Sequence, residues 1–242
     1  MTEAITIKGL RKTYKGRGET LHGIDLVVPR GQFFGLLGPN GAGKTTTINC
    51  VIGITSITEG NILVLGKNVV QDYREARAHV GVSPQEFNID VFQTVDEILD
   101  FQAGFFGIIG EKMKSRREEM LKKFDLIEHR DKKFQFLSGG LKRRATLAKA
   151  MMHNPEVLIL DEPTAGVDVE TRQNLWKFLR ELHKSGKTII LTSHYLEEIE
   201  ALCERVAIIK DGAILLDDTV KNLTKDKSLE TVYLEKVGHI TP

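Results

Sequence analysis

Apolar and polar positions change their spacing several times along the chain, and each spacing predicts a kind of element. Ile5-Thr6-Ile7 and Ile24-Asp25-Leu26-Val27-Val28 have strand character and are interrupted by Lys15-Gly16-Arg17-Gly18, which predicts antiparallel strands and a turn. Tyr14 stands just before that turn. The apolar run Phe33-Phe34-Gly35-Leu36-Leu37 reads as a buried strand, and residues 46–52 can continue as a helix after the glycine-rich stretch between them. Residues 59–66 read as a turn and a strand, and 79–83 as another strand, which Pro84 stops because it has no N–H to offer a ladder.

From Thr94 the period changes from two to about 3.6. Thr94 and Glu97 form a capping-box pattern, and Val95, Ile98, Leu99 and Phe105 are expected on one helix face. Met120, Phe124 and Ile127 repeat that logic behind the charged stretch 111–123, whose charges read as a solvated face. A helical segment, about 90–152, is therefore expected as an insertion between earlier and later strands. Val157-Leu158-Ile159-Leu160 and Thr188-Ile189-Ile190-Leu191 are unbroken apolar runs, with an amphipathic helix over 171–183 between them carrying Leu175, Leu179 and Leu182. That alternation predicts an α/β fold with a mainly parallel sheet covered on both faces. Asp211-Gly212 between two apolar segments is a hairpin signal, and residues 225–242 form a polar extension of no assigned role.

Bulk composition narrows this picture only slightly. A chain of 242 residues fits one domain near the upper size for a single core. With 34 Lys+Arg against 33 Asp+Glu the net charge is +1, so there is no electrostatic footprint for nucleic acid, and none is expected as a partner. Cys50 and Cys203 lack metal-ligand spacing and read as apolar packing residues of a reducing compartment. No leader pattern is visible and no run approaches the ~18 apolar residues of a membrane span. A cytosolic chain is expected.

Chemistry enters at Gly38-Pro39-Asn40-Gly41-Ala42-Gly43-Lys44-Thr45, which fits G-x-x-x-x-G-K-[ST] without a mismatch between a strand and a helix. Glycines there let backbone N–H groups turn onto phosphates, the helix N-terminus adds partial positive charge, and Lys44 adds a full one. Thr45 would give its hydroxyl to Mg²⁺. Residues 157–160 run directly into Asp161-Glu162, two acids at the carboxyl end of a strand, where open α/β sheets bind ligands. Asp161 would hold the metal opposite Thr45, and Glu162 would polarise an attacking water. Ser138-Gly139-Gly140 opens a helix over 141–152 and is, in principle, a second anion site. Lys142-Arg143-Arg144 on the next turn reads as a solvated face.

Taken in this order, the residues resemble the ATP-binding cassette (ABC) ATPases over positions 5–218. Residues 38–45 look like the Walker A loop, with Thr46 following at the nucleotide, and Gln85 looks like the Q-loop glutamine. Residues 137–140 look like the signature, 157–161 like Walker B, 165–168 like the D-loop and His194 like the switch histidine. Tyr14 matches the family's adenine-stacking aromatic. The family's usual signature glutamine is replaced by Leu141; a hydrophobic residue there with basic residues after it is similar to the ABC-2-type exporter branch.

The resemblance implies a P-loop NTPase fold with an N-terminal antiparallel β subdomain and a helical subdomain, and it implies ATP and Mg²⁺ as cofactors. It implies two copies pairing head to tail, so that Ser138 and Gly140 of one face the γ-phosphate held by Lys44 of the other. Glu162 would activate water and His194 stabilise the γ-phosphate. Gln85 would sense metal and phosphate and join the helical insertion to a separate transmembrane permease at the cytoplasmic face of the membrane. A non-transport ABC ATPase acting on a soluble or nucleic-acid partner is the alternative, but those resemble tandem cassettes or cassettes split by a coiled coil, and no sustained heptads occur here.

Overall fold

The alternating first segment forms one long hairpin, in which β1 (Glu3–Tyr14) and β2 (Gly18–Pro29) pair antiparallel with several bulges. The computed structural model describes residues 3–16 and 18–238, so Arg17 of the expected turn and the end of the expected tail, 239–242, lie outside the described residues. After β3 (Phe33–Leu37) and α1 (Lys44–Val51), the chain returns to the hairpin with β4 (Glu59–Val64) and β5 (Lys67–Asn68), completing an antiparallel sheet of order β2-β1-β4-β5. Then come α2 (Tyr73–Ala78) and β6 (Val80–Ser83), which ends at Pro84.

Between β6 and the next strand lie α3 (Val95–Phe105), α4 (Gly110–Lys123) and α5 (Gly139–Met151), with two short 3₁₀ turns before α5. The remainder alternates: β7 (Val157–Asp161), α6 (Val169–Lys184), β8 (Thr188–Ser193), α7 (Leu196–Leu202), β9 (Arg205–Lys210) and β10 (Ala213–Thr219), followed by α8 (Val220–Leu223) and α9 (Leu229–Val237). The second sheet has the order β10-β9-β3-β8-β7-β6 and is parallel throughout except at β10, which turns back on β9 through Asp211 and Gly212, both at positive φ.

This sheet is covered on both faces because its central strands carry apolar side chains on both sides. In β3, Phe33 and Leu37 pack into one core and Phe34 and Leu36 into the other; in β7, Leu158 and Leu160 oppose Val157 and Ile159. Period-two geometry sends neighbouring side chains to opposite faces, so an unbroken run serves both. The helices α3–α6 cover the first face, and α1 with the antiparallel sheet covers the second. Strand β6 and helix α5 approach so closely that a Cβ on Gly81 would stand 2.3 Å from the Ala150 carbonyl oxygen.

The capping box forms, with Glu97 N donating to Thr94 Oγ1 at 3.2 Å and Thr94 N donating to Glu97 Oε2 at 2.7 Å. Three expectations for helix faces, two of burial and one of exposure, differ from the fold. Phe105 is 76% exposed, because Ala103 holds the buried position one turn after Leu99. Ile127 is 45% exposed, because α4 ends at Lys123 and Leu126 turns inward instead. The charged stretch is not uniformly solvated, since Arg116 donates to the Met151 and Met152 carbonyls and Arg117 pairs with Asp100.

The polar extension also has a structural part. Leu229, Val232 and Val237 of α9 are buried in the same core as the parallel sheet, and Glu200 accepts from Leu229 N at 3.2 Å. Replacing Leu229, 0% exposed, with Ala is expected to lower the unfolding free energy by about 2–5 kcal/mol. Urea denaturation of the full chain measures it; a midpoint equal to wild type would place α9 outside the cooperative unit.

Candidate functional site

Strand β3 leads into the phosphate-binding stretch, and its first residue must be glycine. A Cβ on Gly38 would stand 2.2 Å from the Ile209 carbonyl oxygen, on the neighbouring strand. Gly41 and Gly43 take φ of 81° and 109°, a region closed to most side chains, and they bring the chain round to the start of α1. Among the described residues the N–H groups of Gly41, Gly43, Lys44, Thr45 and Thr46 have no protein acceptor, whereas Ala42 N donates to Pro39 O at 3.2 Å. A helix N-terminus with free N–H groups is a ready anion site.

Lys44 folds back over this loop, donating to Gly38 O at 2.7 Å and Pro39 O at 3.2 Å. Burial pushes its pKa down, and the charges of Glu162 and Asp161 offset part of that.

Strand β7 carries the two acids. Asp161 is buried between two hydroxyls: Thr192 Oγ1 donates to its Oδ1, and Thr45 Oγ1 donates to its Oδ2 at 3.3 Å. Glu162 follows with φ 47°, a left-handed conformation that costs a non-glycine residue about 1–3 kcal/mol. It is held there by Thr192, whose carbonyl oxygen and Oγ1 both accept from Glu162 N at 3.1 Å. The strained turn points the carboxylate across the ends of three strands. Oε1 lies 3.7 Å from Lys44 Nζ and 3.2 Å from His194 Nδ1, while Gln85 Nε2 donates to Oε2 at 3.1 Å. Only 8% exposed, this carboxylate is the point on which residues following β3, β6 and β8 converge.

Lys44, Thr45, Gln85, Glu162 and His194 line a cleft of about 610 Å³ together with Asn40, Thr46 and Tyr14, and Asp161 joins it through its bond from Thr45. Tyr14 is half-buried at the end of β1, with Lys12 Nζ 4.7 Å from its ring centroid. Ser138, Gly139 and Gly140 are elsewhere. Ser138 caps α5, accepting from Leu141 N at 3.3 Å, Gly139 opens the helix, and Ser138 and Gly140 line a separate cavity of about 350 Å³ with Leu141 and Thr171. The chain thus brings together every expected site residue except the signature.

Two contributors were not anticipated. Thr192, which orders both acids, gave no local signal. Arg143 corrects the expectation of a solvated basic face: it is 4% exposed and donates to Pro84 O at 2.9 Å and Glu162 O at 3.4 Å. Arg144 does face solvent, pairing with Asp125 at 2.7 Å. The signal for Arg143 was its phase, since it precedes the buried Thr146, Leu147 and Ala150 by three, four and seven positions on α5.

The donors fit a small hard cation. Thr45 and Asp161 offer a hydroxyl and a carboxylate oxygen within one coordination sphere of each other. So sparse an oxygen set suits Mg²⁺, which keeps waters and binds through one or two protein ligands plus phosphate oxygens.

Residues 21–165 match the ABC transporter family. The chain is 41% identical over 211 residues to Nod factor export ATP-binding protein I of Ralstonia nicotianae, covering 87% of this chain and 65% of that protein. It is 37% identical over 233 residues to the linearmycin resistance ATP-binding protein LnrL of Bacillus subtilis, covering 96% and 75%. It therefore spans about two thirds to three quarters of these relatives. Among solved structures, cbiO1 from Clostridium perfringens, part of the transporter complex cbiONQ, superposes with a TM-score of 0.85 at 28% identity, covering 99% of this chain and 98% of that one. The ATP-binding cassette MJ0796, a dimer in a post-hydrolysis state bound to ADP and Pi, superposes with a TM-score of 0.80 at 28% identity, covering 89% and 98%. The chain belongs to the ABC transporter family, as an ATP-binding subunit of the ATPase kind.

Proposed function

We propose that two copies of this chain enclose Mg-ATP head to tail and hydrolyse it with Glu162 as general base, driving a separate exporter-type permease. The observation that carries this reading is the convergence of Lys44, Gln85 and His194 on one buried carboxylate while Ser138 and Gly140 open onto another cavity. One copy then holds the phosphates and the base, and the signature that closes over the γ-phosphate comes from its partner.

In this reading the free N–H groups of Gly41 and residues 43–46, with the Lys44 ammonium, bind the phosphates, and Tyr14 stacks on the adenine. Gln85 and His194 hold the Glu162 carboxylate at the γ-phosphate. Glu162 takes a proton from water, the water oxygen bonds to the γ-phosphorus, and the bond from that phosphorus to the β–γ bridging oxygen breaks to release ADP and phosphate. Mg²⁺, held by Thr45 and Asp161 with Gln85 at its edge, would neutralise charge on the phosphate oxygens.

Export is supported by the relatives that are named for Nod factor export and linearmycin resistance. Among the described residues no helix is long and apolar enough to cross a membrane, which fits a peripheral subunit at the cytoplasmic face. A groove of about 870 Å³ runs from Gln85 along α1, α3 and α5, with Phe101 and Phe105 exposed at its side. Its half-buried Lys149 meets only Asn88 O, at 3.4 Å, among the described residues. We assign this groove to an apolar permease segment with a carboxylate opposite Lys149, because it shares Gln85 with the nucleotide cleft.

A mixing experiment tests the composite site. Lys44→Ala and Gly140→Asp chains should each be inactive alone, yet a one-to-one mixture should regain about a quarter of wild-type turnover, since half the dimers then carry one intact site. No recovery on mixing would sink the head-to-tail arrangement.

A further inference from the structure

We propose that Arg143 is a positioning residue for the Glu162 carboxylate, tying the signature helix of each copy to the base of its own nucleotide site. The proposal rests on the reading of Glu162 as the base.

The guanidinium reaches the two ends of one contact. Gln85 Nε2 donates to Glu162 Oε2 at 3.1 Å, and Arg143 holds the backbone on either side of that bond, donating through Nη1 to Pro84 O at 2.9 Å and through Nη2 to Glu162 O at 3.4 Å. Pro84 immediately precedes Gln85, so one planar fork sets the separation of the amide and the carboxylate. The ring of Phe87, two residues after Gln85, lies 5.1 Å from the guanidinium carbon and meets Phe134 edge-on, with centroids 5.5 Å apart. A cation this deep needs compensation. Burial lowers its pKa, and the carboxylates of Glu198 and Asp161 act against that.

The consequence lies in where α5 begins. Ser138 caps the helix, and Arg143 follows five residues later, roughly 7.5 Å along the same rigid axis. In the head-to-tail dimer Ser138 meets the partner's ATP, whereas Arg143 holds Gln85 and Glu162 of its own chain. A displacement of α5 by one γ-phosphate is thus felt at the base serving the other. Arg143 gives one ATP site a rigid connection to the second.

Arg143→Lys keeps the charge but replaces a rigid two-nitrogen fork with a single nitrogen on a flexible stem, which no longer fixes the two carbonyl groups relative to each other. In the full chain it should lower kcat for ATP about 10- to 100-fold, since small misplacements of a reacting group have effects of that size, with KM and nucleotide affinity within about threefold. Hydrogen exchange of the nucleotide-free chain should quicken about tenfold at residues 83–88 and 161–165, where the lost donors acted. Arg143→Gln serves if the lysine variant fails to fold. Faster exchange with unchanged turnover overturns the proposal, as does slowed turnover with unchanged exchange or with an equal loss of affinity. If wild type and Glu162→Gln turn over ATP alike, the reading of Glu162 fails, and with it the link to catalysis; the exchange data alone still decide whether Arg143 holds the two segments.

Discussion

Glu162→Gln should bind Mg-ATP as wild type does and hydrolyse it about 10²- to 10⁴-fold more slowly, the range that general-base assistance supplies. The substitution keeps shape and hydrogen-bonding reach, so the strained backbone at φ 47° and its two bonds to Thr192 have no reason to move. What is lost is the ability to take a proton from water. A carboxamide cannot do so, and neither of the groups beside it is placed to replace it: Lys44 is committed to Gly38 O and Pro39 O, and His194 reaches the site through the same carboxylate. With closure intact and hydrolysis blocked, the ATP-bound dimer should accumulate. Phosphate release under single-turnover conditions and light scattering with and without ATP measure the two effects. Turnover within a few-fold of wild type would remove Glu162 from the role of base.

The elements that were legible in the sequence share one property, that neighbouring residues settle them. The Gly38–Thr45 stretch is confined by its own glycines and by the strand and helix on either side, and the strands at 157–160 and 188–191 declare their burial by consecutive apolar residues with no charged position among them. The misread residues depend on how their element packs against the rest of the fold. Arg143 looked solvated because two other cations flank it, yet its turn of α5 faces Pro84, 59 positions away. Phe105 looked buried because apolar residues usually are; Ala103 fills that place, and the aromatic side is left open beside a groove. The tail looked featureless because α9 contributes only three buried side chains, whose value comes from a core built by α6, α7 and the sheet. Thr192 is the extreme case: an unremarkable threonine in a buried strand orders both acids through one hydroxyl.

The separation of the signature from the phosphate loop is legible in neither local pattern nor pocket chemistry taken alone. Ser138 offers its hydroxyl to Leu141 N, as an ordinary cap does, and it lines a cavity containing no residue of the 38–46 stretch. In the head-to-tail reading proposed above, its meaning comes from a second copy.

Lys44→Ala should weaken ATP binding itself, by about 10- to 100-fold, which is what one hydrogen bond to a charged group of ~1.5–3 kcal/mol amounts to. In the free protein Lys44 Nζ rests on two loop carbonyls and stands 3.7 Å from Glu162, so it holds an otherwise open turn in the shape phosphates require. Removing it takes away the cation and that support, leaving the N–H groups of Gly41 and residues 43–46 as the main phosphate donors. Equilibrium titration with a fluorescent ATP analogue measures the loss. The two variants then separate the halves of the site: Lys44→Ala loses affinity, whereas Glu162→Gln keeps it and loses turnover. Unchanged affinity in Lys44→Ala with lost hydrolysis would move Lys44 from binding to chemistry, because a group that interacts only with the transferring phosphoryl lowers kcat without touching ground-state binding.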